Sequence, residues 1–434
     1  MKYYCIGIKG AGMSTLACIL HDLGNEVSGY DDSKEKKFTE EGLNKRNIKI
    51  FHEANELDKN TIVTFSKAFS EDHPEIKRVK KLGLKIMDYN KIIGKLTKKF
   101  NTIGISGTHG KTTTSFMLTE IFENTIGCNY FVGDGTGFAN PDNENFILEA
   151  DEFNKHFLAY YPTTAVITNI ELDHVESYTG LKDIIRSFKT YGNRAKTIIA
   201  CGDDKNIRSI KFKTKPEYYG FKSNNHLVAR NIILGENGSS FDVYYKNEYF
   251  DHYDLKIYGE HMIQNALATI LVSMKYGIKK KDIKKSLENY KGAKRRFKEE
   301  RINNKIVIDD YAHHPTEISA TIKAAKQKYP NKEVIAIFLP NTYSRTEALL
   351  DDFVSSLSTA DKAYIMDIYS DRERQSDYPN VSSDIMIERI PNAEKIEIKS
   401  VKKLLDHDSA VYCFMSCTSI YIIMNKFKEI LKEK

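Results

Sequence analysis

The sequence predicts a three-domain α/β protein whose sheets are mostly parallel, and three observations carry that prediction. Short apolar runs of strand length alternate with helix-length amphipathic segments, the pattern of β-α-β units. Several runs end in glycine turns or acidic residues that lead into a helix, as in sheets that present ligands at their carboxyl edge. The chain's 434 residues also exceed one ordinary core, at about 150 residues per domain.

The chain opens with a strand at residues 3–8 (Tyr-Tyr-Cys-Ile-Gly-Ile), the turn Lys9-Gly10-Ala11-Gly12-Met13-Ser14, and an apolar helix from Thr15 to Leu23. A second strand, Glu26 to Tyr30, ends in Asp31-Asp32, about 20 residues beyond the glycines, where a ribose hydroxyl is usually held. The glycines are Gly7, Gly10 and Gly12, so the spacing departs from G-x-G-x-x-G and disfavours a plain dinucleotide oxidoreductase. A tight strand-to-helix turn explains them equally well. Thr61 to Phe65 reads as a strand, Pro74 to Leu82 as a helix and Lys85 to Met87 as a strand. Lysine-rich Lys91 to Lys99 reads as a domain boundary.

The most specific stretch follows. Gly104-Ile-Ser-Gly107-Thr108-His109-Gly110-Lys111-Thr112-Thr113-Thr114 lies between an apolar run (Phe100 to Ile105) and a helical segment (Ser115 to Phe122). Gly104, Gly107, Gly110, Lys111 and Thr112 form a glycine loop that ends in G-K-T, with five residues between Gly104 and Gly110, one more than G-x-x-x-x-G-K-T, in the strand–loop–helix context a phosphate loop requires. Backbone N–H groups and the helix N-terminus cradle a polyphosphate there, Lys111 reaches the terminal phosphates, and the Thr112 hydroxyl reaches Mg2+. Downstream, Phe146-Ile-Leu-Glu149-Ala-Asp151-Glu152 places three carboxylates at a strand end, either as magnesium ligands or as an acid-rich helix start. Thr164 to Thr168 runs into Asn169-Ile-Glu171-Leu-Asp173-His174, whose histidine is a metal ligand or a surface cap.

A further strand, Thr197 to Cys201, ends at Gly202-Asp203-Asp204. The alternating stretch Tyr218 to Tyr253 predicts a few antiparallel strands at the rim. Gly259-Glu-His261-Met-Ile-Gln-Asn265 starts a long amphipathic helix with His261 and Asn265 on one face. The basic run Gly292-Ala-Lys294-Arg295-Arg296-Phe297-Lys298 leads into Lys305-Ile-Val-Ile-Asp309-Asp310-Tyr311-Ala312-His313-His314-Pro315, another strand that ends in polar groups. Strands at Glu333 to Leu339, Lys362 to Ile368 and Ala410 to Phe414 complete a third domain with a mostly parallel sheet.

Composition narrows the partners. The net charge of +6 arises from 65 basic and 59 acidic residues; spread over this length it points away from nucleic acid and suits an anionic substrate. Six cysteines (Cys5, Cys18, Cys128, Cys201, Cys413, Cys417) form no C-x-x-C pair, as expected of reduced, mostly buried thiols. No run approaches 18 apolar residues and the N-terminus carries no signal-like h-region, so the expectation is a cytoplasmic protein without membrane insertion.

Six motifs, Gly-Thr-His-Gly-Lys-Thr (107–112), Glu-Ala-Asp-Glu (149–152), Thr-Asn-Ile-Glu-Leu-Asp-His (168–174), Gly-x-His-x-x-x-Asn (259–265), Lys-Arg-Arg-Phe (294–297) and Asp-Asp-Tyr-Ala-His-His-Pro-Thr-Glu (309–317), together resemble the Mur ligases of cell-wall synthesis. The match spans nearly the whole chain in the family's order, and with Gly-Ile-Lys-Gly-Ala-Gly-Met-Ser at the start it resembles the muramate-binding branch. The resemblance implies a Rossmann-like UDP-sugar domain (1–98), a central P-loop ATP-binding domain (99–293) and a Rossmann-like C-terminal ligase domain (294–434). It implies ATP and Mg2+, and the joining of L-alanine to the carboxylate of UDP-N-acetylmuramate, in a monomer or weak homodimer. Gly10, Ala11, Gly12, Met13, Asp31 and the Ser66-Lys67-Ala68 loop would meet the UDP-sugar. Gly107 through Thr113, Asn265, Arg296 and Asp310 would meet ATP, and Thr112, Glu149 and His174 the metal. Tyr343, Arg345 and Arg372 would line the amino-acid side; Lys111, His174 and Arg296 would be catalytic.

The implied chemistry explains the residue types. A carboxylate that attacks a γ-phosphate brings two anions together, which requires lysine, arginine and magnesium. The incoming amine must lose a proton, for which His174, His109 and His313 are all candidates. Met262, Leu339, Asn341 and Ser416-Cys417-Thr418-Ser419 depart from the family's pattern, the third-domain departures bearing on amino-acid recognition. Lys189 sits where sibling ligases carry a modified lysine, a feature not expected of this branch. Two alternatives stand beside this reading: the joining of a whole recycled peptide to the same nucleotide, and a non-catalytic nucleotide-binding regulator.

Overall fold

The computed structural model describes residues 1–66, 69–292, 295–370 and 373–433. It is a three-domain α/β architecture with three sheets, distributed over two compact units: Met1–Glu171, Leu181–Val228 and Asn265–Ser286 in one, and Leu172–Gly180, Ala229–Gln264 and Leu287–Lys434 in the other.

The first unit holds two sheets. β1 (Lys2–Ile6), β2 (Glu26–Tyr30), β3 (Lys49–Phe51), β4 (Thr61–Phe65) and β5 (Lys85–Ile86) run parallel in the order β3-β2-β1-β4-β5. The order reverses at β1, so the glycine turn that follows it lies at the switch point where open α/β sheets take ligands. Tyr4, Ile6, Val63, Ile76, Val79 and Leu84 form a core on one face. The lysine-rich segment forms the helix Tyr89–Lys99, which buries Ile92, Ile93 and Leu96. Its apolar residues follow a helical period that leaves the lysines on the outer face.

The second sheet is built from β6 (Asn101–Ser106), β7 (Asn129–Val132), β8 (Thr136–Phe138), β9 (Asn145–Glu149), β10 (Thr164–Ile167), β11 (Thr197–Cys201) and β12 (Glu217–Gly220), in the order β12-β11-β10-β6-β9-β7-β8. The first residues of β13 (Leu227–Gly235) add to β12 in parallel. β6 and β10 are central and buried almost throughout, as strands covered on both faces are.

In the second unit β13 continues into β14 (Gly238–Tyr245) and β15 (Glu248–Leu255), of which β14 and β15 pair antiparallel. The expected antiparallel rim therefore holds from β14 onward, whereas β12 pairs parallel on both sides; alternation specifies a half-covered strand, not its direction. The third sheet comprises β16 (Lys298–Ile302), β17 (Lys305–Asp310), β18 (Glu333–Phe338), β19 (Lys362–Ile365), β20 (Ala393–Lys395) and β21 (Ala410–Met415), in the order β16-β17-β21-β18-β19-β20. Only β16 pairs antiparallel. Successive residues of its inner strands point to opposite cores: Ile306, Ile308, Val334 and Ala336 to one, Val307, Ile335 and Ile337 to the other. No helix among the described residues is long and apolar enough to cross a membrane. All six cysteines are free, and only Cys417 is not buried.

Candidate active site

β6 delivers the phosphate loop to the carboxyl edge of the central sheet. Gly107 and Gly110 have φ of 148° and 80°. A Cβ at 107 would collide with the Thr168 hydroxyl, and one at 110 would lie 2.5 Å from Asn265 Oδ1, so both positions demand glycine. The exit of neighbouring β10 fastens the loop. The Asn169 carbonyl accepts from Thr108 N–H at 3.1 Å and Asn169 Oδ1 accepts from His109 N–H at 2.7 Å. The Thr168 hydroxyl and the Asn169 amide donate to the His109 carbonyl at 2.5 and 3.1 Å. Gly110 then caps the helix Lys111–Glu123 with no side-chain cap hydrogen bond. The N–H groups of a first turn have no intrahelical acceptor, so this one presents donors and a positive dipole end to an anion.

At that turn stand two of the predicted metal ligands, Thr112 and Glu149. The Thr112 hydroxyl donates to Glu149 Oε1 at 3.0 Å, and Glu149 Oε2 accepts from Gly133 N–H at 3.0 Å. Lys111 Nζ donates to the carbonyls of Gly107 (2.5 Å) and Thr108 (3.2 Å) and to Glu152 Oε1 (2.8 Å). Burial opposes the Lys111 charge, yet Glu152, Asp151 and Glu149 together raise its pKa above the ordinary lysine value. Burial likewise raises the Glu149 carboxyl, against the Gly133 N–H, Lys111 and Thr112. A hydroxyl and a carboxylate side by side are the hard oxygen donors Mg2+ takes, and the cationic loop with free-standing helix N–H groups fits a triphosphate. Asn265 lies over the same turn, accepting from the Thr114 hydroxyl at 3.4 Å. His109 Nε2 is 3.4 Å from Glu171 Oε2.

In the first sheet's domain, Asp31 is buried, and its carboxylate accepts from Lys9 N–H at 3.0 Å and Ser33 N–H at 3.1 Å. Gly10, Ala11, Gly12 and Met13 form the turn and helix start beside it. Ser66 closes β4 next to that turn, its N–H donating to the Ile6 carbonyl. Lys67 and Ala68 lie outside the described residues.

The second unit carries its own group of predicted residues. Asp310 is buried at the end of β17, and accepts from Phe297 N–H at 2.7 Å and Ala312 N–H at 2.8 Å. Burial raises its pKa, against Arg296 and these two N–H groups. Arg295 and Phe297 both sit at φ 51°, a kink that sets Arg296 over the Tyr311 ring and 3.4 Å from Glu317 Oε1. Arg345 is buried and donates through Nε and Nη2, each 3.0 Å from Asp173 Oδ1. The same oxygen accepts the backbone N–H of His174 at 2.7 Å, and His174 holds φ 51°. Burial works against the Asp173 charge, but His174, Arg345, His313 and His314 hold its carboxyl far below the usual range. Tyr343 stacks on Tyr378, with ring centroids 6.0 Å apart, and its N–H donates to Glu373 Oε2 at 2.7 Å. His313 Nδ1 is 3.0 Å from the Tyr311 carbonyl. Arg372 lies outside the described residues. Lys189 is exposed on the helix Leu181–Gly192.

Three contributors were not singled out from sequence: Asp173 is the partner of Arg345, Asn169 shapes the loop, and Glu373 holds the start of the helix Tyr343–Ala348. Glu152, read as one of three carboxylates at its strand end, is the partner of Lys111. Asp173 and Asn169 stood inside a motif, but nothing in their spacing told which partner each would meet.

Family models match the chain in three successive segments: "Mur ligase family, catalytic domain" over residues 2–101, "Mur ligase middle domain" over 105–273 and "Mur ligase, glutamate ligase domain" over 295–416. Among curated proteins, the UDP-N-acetylmuramate–L-alanine ligase of Lacticaseibacillus paracasei is 41% identical over 435 residues, covering 100% of this chain and 99% of that protein. Its counterpart from Limosilactobacillus reuteri is 42% identical over 434 residues, with 99% of each covered. Among solved structures, the UDP-N-acetylmuramate-alanine ligase of Thermotoga maritima shares the fold with a TM-score of 0.81 at 24% identity, covering 100% of this chain and 99% of that one. A murein peptide ligase from Psychrobacter arcticus shares it at 0.72 and 21%, again covering 100% and 99%. With its loop, its acidic strand ends and its full length accounted for by these matches, the chain belongs to the Mur ligase family.

Proposed function

We propose that this chain is an ATP-dependent ligase that joins L-alanine to the carboxylate of UDP-N-acetylmuramate in peptidoglycan synthesis. The carrying observation is the Lys111–Thr112–Glu149 constellation on a chain 41% identical along its whole length to an L-alanine-adding ligase. The UDP-sugar falls to residues 1–98, ATP to 99–293 and the amino acid with the ATP ribose to 294–434. We take the protein as a cytoplasmic monomer or weak homodimer.

In this reading the muramate carboxylate oxygen attacks the γ-phosphorus, the bond to the β-phosphate oxygen breaks, and ADP leaves. The helix N–H groups and Lys111 hold the phosphates in line, and Arg296 adds positive charge where two anions meet. Thr112, Glu149 and His174 would hold Mg2+, which would supply further charge neutralisation. Alanine's neutral amine then attacks the acyl carbon, phosphate leaves with the C–O bond pair, and the ammonium proton passes to a base. His174, His109 and His313 are the candidates. Asp310 faces the ribose, while Arg345 and Tyr343 set the amino-acid pocket.

ADP release with UDP-N-acetylmuramate and each amino acid in turn tests this. Turnover with L-alanine well above every other amino acid is expected. No ADP with alanine but turnover with a tripeptide would replace the reading by peptide ligation, and no turnover with either would make the chain a binding protein.

A further inference from the structure

Lys9, inside the first glycine turn, spends every polar group it has on one segment. Its side chain is almost wholly buried, 3% of the residue being exposed. An ammonium has three donors, and those of Lys9 meet the carbonyls of Ser33 (2.8 Å) and Glu35 (3.1 Å) and Glu40 Oε1 (3.0 Å). The main chain does the same: its N–H donates to Asp31 Oδ2 at 3.0 Å, and its carbonyl accepts from the Thr39 hydroxyl at 2.7 Å. Residues 33–39 lie in no strand and no helix; three of these bonds fasten Ser33, Glu35 and Thr39 to the turn, and the other two fasten Asp31 and Glu40, which flank them. The fastened strap exposes Lys34, Lys36, Lys37 and Phe38, the last with 72% of its surface in solvent, together with the acids Asp32 and Glu35.

We propose that Lys9 is a positioning residue for the nucleotide-sugar: it staples residues 33–40 beside the Gly10–Gly12 turn as a basic strap for the diphosphate. This rests on the assignment of that turn to the UDP-sugar. The three ammonium groups outnumber the exposed Asp32 and Glu35 carboxylates, and on an ordered strap they raise the local concentration of a dianion; on a loose loop they are dispersed and the ordering entropy falls on the binding step. Charge-assisted hydrogen bonds are the stronger class; removal of the ammonium leaves two part-buried carbonyls and the Glu40 carboxylate without that donor, so Tm is followed beside KM, and the double variant with Glu40→Gln removes the unpaired charge.

The test compares wild type with Lys9→Met, Glu40→Gln and the double variant. KM for UDP-N-acetylmuramate in Lys9→Met is expected to rise about tenfold, the weight of one charge-assisted bond, with KM for ATP and alanine within about twofold. Glu40→Gln alone should give a smaller rise and add little to Lys9→Met, because both break one staple. Trypsin cleavage after Lys34, Lys36 and Lys37, followed by mass spectrometry, should be slowed by the nucleotide-sugar in wild type and faster in Lys9→Met. An unchanged nucleotide KM overturns the proposal, and so does a parallel rise of all three KM values with a falling Tm, which marks a merely structural lysine. Wild-type enzyme that releases no ADP refutes the functional assignment instead, whereas the trypsin result still reports on the staple.

Discussion

Asp173→Asn separates a positioning role of the carboxylate from simple packing. One oxygen, Oδ1, accepts from Arg345 Nε and Nη2 and from the His174 N–H, and both side chains of the pair are buried at 7% and 10% exposure. Removing one partner of a buried ion pair costs about 3–5 kcal/mol. The asparagine oxygen still accepts, which keeps the loss near the lower end, about 3 kcal/mol. For a domain of this size about 3 kcal/mol lowers Tm by roughly 6–12 °C. Were the full amount expressed in the placement of Arg345, kcat/KM for alanine would fall by about a hundredfold. Differential scanning calorimetry gives the first number, and ADP release at saturating ATP and nucleotide-sugar against varied alanine gives the second. A lowered Tm with kcat/KM for alanine within about threefold of wild type would refute the positioning argument, leaving Asp173 a structural anchor.

Gly110→Ala places a methyl group 2.5 Å from Asn265 Oδ1 at φ 80°, so KM for ATP should rise about tenfold at a strain of about 1–2 kcal/mol, measurable by ADP release and calorimetry. Lys111 has a folded pKa above the ordinary 10.5, so its stabilising contribution is complete below that value and fades as pH rises through the folded one. The Tm difference between wild type and Lys111→Met is expected to stay constant from pH 7 to about 10 and shrink beyond. EDTA should abolish ADP release and Mg2+ restore it, with Glu149→Gln raising the Mg2+ requirement at least about tenfold, as read from activity against metal concentration.

Much of the fold was legible because strands buried on both faces leave continuous apolar runs, as Thr197–Cys201 does; Glu26–Tyr30, buried at alternate residues only, also falls where it was read. The phosphate loop was legible because its geometry excludes all but glycine at two positions and so leaves a fixed spacing in the chain. Less visible were β16 and β20, short edge strands in which charged residues outnumber apolar ones, and the parallel pairing of β12, since direction depends on distant partners. Among site residues, Lys111 and Thr112 announce themselves through a local motif. Glu152, Asp173 and Lys9 act through tertiary contacts, and no local pattern names the partner. Lys9 in particular sat in plain view within a quoted motif, read for its glycines alone.

The strand order of the third sheet bears on how the protein is made. β21, the last of this sheet's described strands to leave the ribosome, lies in the middle of its sheet between β17 and β18. Until Met415 has emerged, the two halves of that sheet share no ladder and their apolar edges stay open, while the first two sheets already have all their strands. At about 5–20 residues per second, the interval between β17 and β21 leaves a nascent chain for several seconds with exposed strand edges, a stage at which chaperones have something to hold. A stop codon anywhere before residue 410 deletes the central strand rather than trimming an edge, so truncated products of this gene are destined for degradation and not for partial function.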